Sequence, residues 1–324
     1  MGEKINRGLG VLIPRKNLDQ SSFQEEGMAS QQLDKSASYQ ASQSVNPAAK
    51  TMSSSSINPD DINLLAQFLA HEQIPASSHP PINTDCIVIC VSAVLYPAEA
   101  VFKHLERNLQ LTKTLVLCGG IGHSTPHLYE AVSRHPDYAH LVPEITGKPE
   151  SHVLHTIFTR CFDATFIQKS GCTVLLEDKS TNCGQNALET RALLARNGIP
   201  EPKSMIVVQD PTMARRTVAS FEKAYAPRPP KLLSWPIIVP RVKVEEGELV
   251  YNDDDGSMPG VTGTLWSMSR FLGLVLGEIP RLRDDEHGYG PMGKGFIGHV
   301  DIPEEVEHAY SRVQRGIGED LAKR

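Results

Sequence analysis

Five short runs of unbroken apolar sequence, each ending in a polar or glycine-rich loop, constrain this chain more than any other feature. They are Asp85-Cys-Ile-Val-Ile-Cys-Val91, Thr114-Leu-Val-Leu-Cys118, Thr173-Val-Leu-Leu-Glu177, Ser204-Met-Ile-Val-Val-Gln209 and Leu232 to Val239. Runs without alternation mark strands buried on both faces. Helix-length stretches separate them: Pro97 to Asn108, a helix opened by Thr125-Pro126, His152 to Phe162, Asn186 to Arg196 closed by Gly198, and a helix opened by Asp210-Pro211. Such alternation predicts parallel pairing through right-handed crossovers, and so a doubly wound, mainly parallel α/β domain over residues 58–240.

The sequence on either side differs in kind. Lys16 to Ser56 is rich in Ser, Gln, Ala and Asn. A segment of that composition buries too little apolar surface to offset its ordering entropy, so residues 1–57 are expected to be disordered, with Met52 a candidate alternative start. Asn58-Pro59-Asp60-Asp61 then gives a cap, a first-turn proline and two acids that complement the helix dipole, ahead of a stripe of Leu64, Leu65, Phe68 and Leu69. Residues 241–324 are expected to form a smaller, mostly helical part packing on the α/β domain. There, Val242 to Gly260 reads as a hairpin or loose loop. Leu265, Met268, Leu272 and Val275 read as a helix stopped by Gly277 and Pro280, and Pro303 to Arg315 as a last helix. Trp235 and Trp266 are expected in the core.

Open α/β sheets take ligands at the carboxyl ends of their strands. Three loops fall at such ends. In Gly119-Gly-Ile-Gly-His-Ser-Thr125, the backbone of Gly119, Gly120 and Gly122 is expected to cradle an anion beside a helix N-terminus, with His123 and Ser124 as further donors; the alternative is a plain turn with Thr125 as cap. The loop matches neither the P-loop nor G-x-G-x-x-G. In Glu177-Asp-Lys-Ser-Thr-Asn-Cys-Gly-Gln-Asn186, Glu177 is a candidate catalytic or ribose-binding acid, and Asn186 a ligand contact. Asn182 has two readings, ligand contact or the start of a capping box with Gln185, and Ser180 or Thr181 are alternative caps or contacts. In Asp210-Pro-Thr-Met-Ala-Arg-Arg216, Asp210 is either a general base or a helix cap. One of Arg215 and Arg216 is expected to clamp an anionic group, and the other to be a solvated charge. Arg281 to Pro291, with Asp284 and Asp285, is a weaker candidate as a lid, and His299 and Asp301 weaker still.

Composition narrows the partners. Lys and Arg total 32 against 38 Asp and Glu, a net charge of −6, which argues against general affinity for nucleic acid or anionic lipid. No run is long and apolar enough to span a bilayer, the start is a poor signal peptide, and Asn6 breaks the myristoylation pattern. The six cysteines show no metal-ligand spacing and are expected to be reduced thiols, which fits a cytoplasmic protein without a membrane anchor.

At these loops the sequence resembles the YdcF-like family (YdcF, SanA and ElyC), long labelled a domain of unknown function. The resemblance rests on the Gly119–Thr125 and Glu177–Asn186 loops, on Val207-Val-Gln-Asp-Pro-Thr-Met-Ala-Arg-Arg-Thr217, and on Pro280-Arg-Leu-Arg-Asp-Asp285 with His287-Gly-Tyr-Gly-Pro291. It runs in one order from about Asn58 to Tyr310. It implies a Rossmann-like fold, a site at these loops and S-adenosylmethionine as ligand. SanA and ElyC are membrane-anchored and tied to envelope integrity, whereas YdcF-type members lack the anchor. The family's Glu-Asn at the end of the second loop is Gln185-Asn186 here, which counts against a catalytic acid at 185 and leaves a capping role intact. Glu177 also follows the glycine turn by far more than the ~20 residues of a dinucleotide site, so any adenosyl ligand is expected in a non-standard pose. The leading expectation is binding of a small anionic or nucleotide-like ligand, S-adenosylmethionine first. The alternatives are a hydrolase or transferase acting on a phosphorylated small molecule, with Glu177 or Asp210 as base and Arg215 as charge stabiliser, and a non-catalytic regulatory module.

Overall fold

In the computed structural model the five apolar runs become five parallel strands: β1 (Thr84–Cys90), β2 (Thr112–Cys118), β3 (Thr173–Glu177), β4 (Ser204–Val208) and β5 (Lys231–Ser234). Their order is β3-β2-β1-β4-β5, so the chain winds outward from β1 to β3 and then jumps back to the other side of β1. The sheet is Rossmann-like, with its switch in winding direction between β1 and β4. The structure describes residues 57–75, 80–256, 258 and 260–317, all within one unit, Thr51–Arg324. Apart from Ile57, which is buried, the segment expected to be disordered lies outside the described residues, as does Met52.

Helices cover both faces. On one lie α2 (Tyr96–Arg107), α5 (Glu150–Cys161) and α6 (Ala164–Lys169), packed on Ile87, Ile89, Leu115 and Leu117. On the other lie α7 (Cys183–Arg196) and α8 (Ala214–Ala224), packed on Cys86, Val88, Val116 and Val207. Strand residues alternate between these two cores, as the period of two requires. The β2–β3 connection is a long insertion that also carries α3 (Thr125–Arg134), a short 3₁₀ turn and α4 (Val142–Ile145). Leu128, Val132, Leu141, Ile145, Val153 and Ile157 give it a small core of its own.

Asn58 caps α1 (Pro59–Ala70) by accepting from the Asp60 amide at 3.0 Å. The C-terminal part is a β6–β7 hairpin (Val242–Glu245 and Glu248–Tyr251), then α9 (Met268–Leu282) and α10 (Glu304–Ile317). It shares the core of the first face, and the Arg312 guanidinium grips Asp61 of α1 through two bonds of 2.7 and 2.8 Å. Trp235 and Trp266 are buried, as expected.

Most boundaries shift by one to three residues, and three departures have a local cause. β5 ends at Ser234 because Pro236 has no amide to donate and Ile237 takes a left-handed φ of 71°. α9 runs through both Gly277 and Pro280. Gly277 serves packing, since the Arg281 guanidinium folds back onto its carbonyl at 2.8 Å and a Cβ there would stand 2.9 Å away. Asp210-Pro211 opens a turn, and α8 begins only at Ala214.

Candidate functional site

The switch in winding direction opens a crevice between the carboxyl ends of β1 and β4, and a buried acid sits in it. The Asp210 carboxyl is 3% exposed. One oxygen accepts from the Thr212 amide (2.9 Å) and hydroxyl (2.6 Å), and the other from the Ser92 hydroxyl at 3.0 Å. Asp210 therefore bonds across the crevice to the loop after β1 as well as holding its own turn. Burial pushes its pKa up to about 6, with the Thr212 and Ser92 bonds opposing and the charge of Glu278 adding to the rise. A cleft of about 10 Å³ lies between Ser92, Val94, Leu154 and Asp210. Ser92 was not singled out in the sequence, where Val91-Ser-Ala-Val-Leu95 carries no glycine or charge to mark it.

The Gly119–Thr125 and Glu177–Asn186 loops are zipped together. The Gly119 amide donates to the Glu177 carbonyl (2.9 Å) and the Gly120 amide to the Ser180 carbonyl (2.8 Å), while Gly122 donates to the Thr125 hydroxyl (2.8 Å). The expected anion cradle is thus not built from these three glycines, because each amide is spent inside the protein. Gly120 is required for another reason: a Cβ there would stand 2.5 Å from the Ser180 carbonyl oxygen and 2.7 Å from that of Asp178.

Glu177 holds the same zipper from beneath. It is 2% exposed, and its carboxylate accepts from the Lys179 amide (2.7 Å), the Ser180 amide (3.0 Å), the Ser180 hydroxyl and the Cys118 thiol (3.1 Å). Four donors fill the four acceptor sites of a carboxylate, leaving none for a ribose or a substrate proton. Asn182 caps α7, accepting from the Gln185 amide at 3.0 Å. The Gln185 side-chain oxygen accepts from both the amide and the hydroxyl of Thr181 at 2.8 Å. That work needs only an acceptor, so Gln in place of Glu leaves it unchanged. Asn186 differs from these: it is 8% exposed, and its side-chain amide meets no partner among the described residues.

A third buried acid, unmarked in the sequence, stands over the glycine loop. Glu150, the first residue of α5, accepts from the Ser124 and Thr125 hydroxyls at 2.9 and 2.8 Å with one oxygen, and its other oxygen is the atom that a Cβ on Gly119 would meet at 3.0 Å. Burial raises its pKa, opposed by the Thr125 and Ser124 bonds. Thr125 thus joins two loops instead of capping α3, which has no side-chain cap. Along the loop's exposed rim the amides of Ile121, His123 and Ser124 meet no acceptor among the described residues, and the His123 side chain is exposed.

Neither candidate arginine is a solvated charge, and neither is free. Arg215 donates to the Phe68 carbonyl at 2.6 Å and lies over the Phe68 ring, fastening α1. Arg216 forms a two-point pair with Glu278 of α9, which also accepts from Arg281 at 3.1 Å. Glu278 thereby brings α9 of the C-terminal part against the loop after β4; burial, with the charge of Asp210, pushes the pKa of the Tyr251 phenol up, and its hydroxyl donates to the Trp266 carbonyl at 3.0 Å. The Asp284 and Asp285 carboxylates are turned into their own loop, on the amides of Met292, His287 and Gly288 and on His299.

The chain matches no model of a known protein family. Among the described residues no group of three or more His, Cys, Asp or Glu side chains is arranged to hold a metal ion, and no helix is long and apolar enough to cross a membrane.

Proposed function

We propose that the protein binds a small nucleoside-like ligand at the β1–β4 crevice, with S-adenosylmethionine the first candidate. The observation that carries this reading is Asp210, a buried carboxyl at the switch in winding direction that changes charge near neutral pH. The surroundings favour a cationic, hydroxyl-bearing ligand over a phosphate ester. A phosphate dianion calls for a free guanidinium as well as free amides, whereas a carboxylate can rest on amides alone. Here Arg215 is held by Phe68 and Arg216 is paired with Glu278, which leaves the open amides of Ile121, His123 and Ser124 for an anion. S-adenosylmethionine has no phosphate. Its sulfonium and ammonium suit Asp210 and Glu150, its hydroxyls suit Ser92 and Asn186, and its carboxylate suits the open amides of Ile121, His123 and Ser124. In this reading the acid comes from the loop after β4 instead of Glu177, whose carboxylate is filled by its own loop and Cys118. The crevice of about 10 Å³ is far below the roughly 300 Å³ a ligand of this size needs, so binding requires the crevice to widen. A cytoplasmic setting goes with the reading, since all six cysteines are free thiols that a reducing compartment preserves.

Titration calorimetry tests it. Binding of S-adenosylmethionine is expected to be severalfold tighter than that of its demethylated product, which lacks the positive sulfonium. Binding strengthens as Asp210 ionises, so the dissociation constant should rise about tenfold from pH 7.5 to pH 5 as the carboxyl is protonated through about 6. No heat with either compound, or an unchanged affinity in Asp210→Asn, overturns the assignment. Turnover of simple phosphate esters, lost in Glu150→Gln, would replace it with a hydrolase.

A further inference from the structure

Among the described residues two buried side-chain hydroxyls have no hydrogen-bond partner, those of Ser151 and Tyr225. Most buried polar groups are satisfied, so each exception calls for a cause. Tyr225 lies beside Arg191 and Cys86, toward the amino ends of the strands. Ser151 lies at the carboxyl ends. Its amide donates to the Gly119 carbonyl, just past β2, at 2.8 Å, and its side chain is wholly buried. With Leu154 and Phe158 it forms the stripe of α5 that faces the sheet, and Leu154, one turn on, is part of the wall of the Asp210 crevice. On the opposite face of the sheet, Asn186 of α7 approaches the same strand end. Its carbonyl lies 3.7 Å from the Cys118 sulfur, and its side-chain amide meets no partner among the described residues. The end of β2 is thus flanked by two buried, uncharged polar side chains, one from each face, that bond to nothing among the described residues. Glu150, next to Ser151, spends one carboxylate oxygen on Ser124 and Thr125, and its other oxygen accepts no hydrogen bond among the described residues.

We propose that Ser151 and Asn186 hold the two adjacent hydroxyls of a ribose, so that this site takes a ribonucleoside in preference to its deoxy counterpart. The inference rests on the nucleoside reading above, and adds to it a residue, Ser151, and a sugar. The balance of donors and acceptors chooses the sugar. A hydroxyl and a primary amide each donate and accept. An ammonium only donates and a carboxylate only accepts, so either would leave part of both side chains unpaired. A pair of hydroxyls donates and accepts, and so can satisfy both. Neither side chain is charged, which suits a neutral group, and the open oxygen of Glu150 is left for the cationic end of the ligand. Any ligand of this size has to widen the crevice. Leu154 belongs to its wall, so the widening that admits a ligand uncovers Ser151 on the same stripe. An unpaired buried hydroxyl costs the empty protein stability, and a matching ligand hydroxyl returns that loss as affinity. An analogue without that hydroxyl leaves the side chain unpaired in the complex and is rejected.

Calorimetry on the full chain compares S-adenosylmethionine and adenosine with the 2′-deoxy and 3′-deoxy forms of each. Removing a ribose hydroxyl should weaken binding at least about tenfold. Ser151→Ala should weaken binding of the ribose compounds by roughly tenfold and shrink the ribose-to-deoxy ratio. Its thermal midpoint should hold level or rise by roughly 2–4 °C, because the variant removes an unsatisfied buried hydroxyl. Tyr225→Phe removes the other unpartnered hydroxyl and should leave every affinity unchanged. Equal affinity for ribose and deoxy compounds, or a ratio that Ser151→Ala leaves intact, overturns the ribose subsite while S-adenosylmethionine binding stands. Adenosine bound with the deoxy penalty, but no heat with S-adenosylmethionine, supports the subsite and removes that choice of ligand. No heat with any of the compounds removes both.

Discussion

Replacing Glu278 with Ala is expected to cost about 3–5 kcal/mol of folding free energy and to lower the thermal midpoint by roughly 10 °C. Glu278 is 2% exposed and is the anion for two guanidinium groups, Arg216 and Arg281. Its removal leaves Arg216 buried without a counter-charge, which is the costly way to break a buried pair. Replacing both partners in Arg216→Met/Glu278→Leu should recover most of the loss, since the one guanidinium that then loses Glu278 is that of Arg281, which is 32% exposed and reaches water. A double variant as unstable as Glu278→Ala would show that packing, not charge, sets the effect. Glu278 also raises the pKa of Asp210, so Glu278→Gln should bring that carboxyl down from about 6. Any ligand affinity that depends on ionised Asp210 should then persist to lower pH.

Gly120→Ala is expected to be nearly as harmful, by about 3 kcal/mol in denaturant unfolding. The new methyl has nowhere to go, because the nearest atoms are backbone carbonyl oxygens of the β3 loop at 2.5 and 2.7 Å. Relief requires the two loops to part, which breaks the Gly120–Ser180 bond and loosens the Glu150 amide from the Gly120 carbonyl. Gly122→Ala provides the control. Its Cβ meets the Thr181 carbonyl oxygen at 3.3 Å, a contact that a shift of a few tenths of an ångström relieves, so the loss should stay under about 1 kcal/mol. Equal effects at the two positions would refute the close-approach role of Gly120.

The strands were legible because burial on both faces leaves a compositional mark that needs no partner to be read. β3 matches the expected run, and β1, β2 and β4 differ from it only at their ends. The candidate site was legible as a set of strand-end loops but not as a set of roles. Strand-end position identified the glycine loop, the β3 loop and Asp210. What their polar groups bond to depends on residues distant in sequence: Ser92 lies 118 residues from Asp210, and Glu150 lies 26 from Ser124. Local patterns carry no trace of such pairings. Glu177 resembled a ligand acid because a buried carboxylate needs partners, and its partners proved to be its own loop. Asn182 is the opposite case, since capping is local chemistry and the capping box was visible in the residues themselves. The Gly277 and Pro280 stop signals failed because an arginine and the surrounding core override local helix preference at those two positions.

The grip of Arg312 on Asp61 joins side chains 251 positions apart. During synthesis the part of the α1 face that meets α10 therefore stays uncovered until α10 has been made. Late closure of that kind slows folding and lengthens the time an apolar face stands open, a period in which chaperones act. It also sets the two ends of the described fold side by side. A chain rewired to start within the β2–β3 insertion, with α10 joined directly to α1, would turn that late and distant contact into an early and local one.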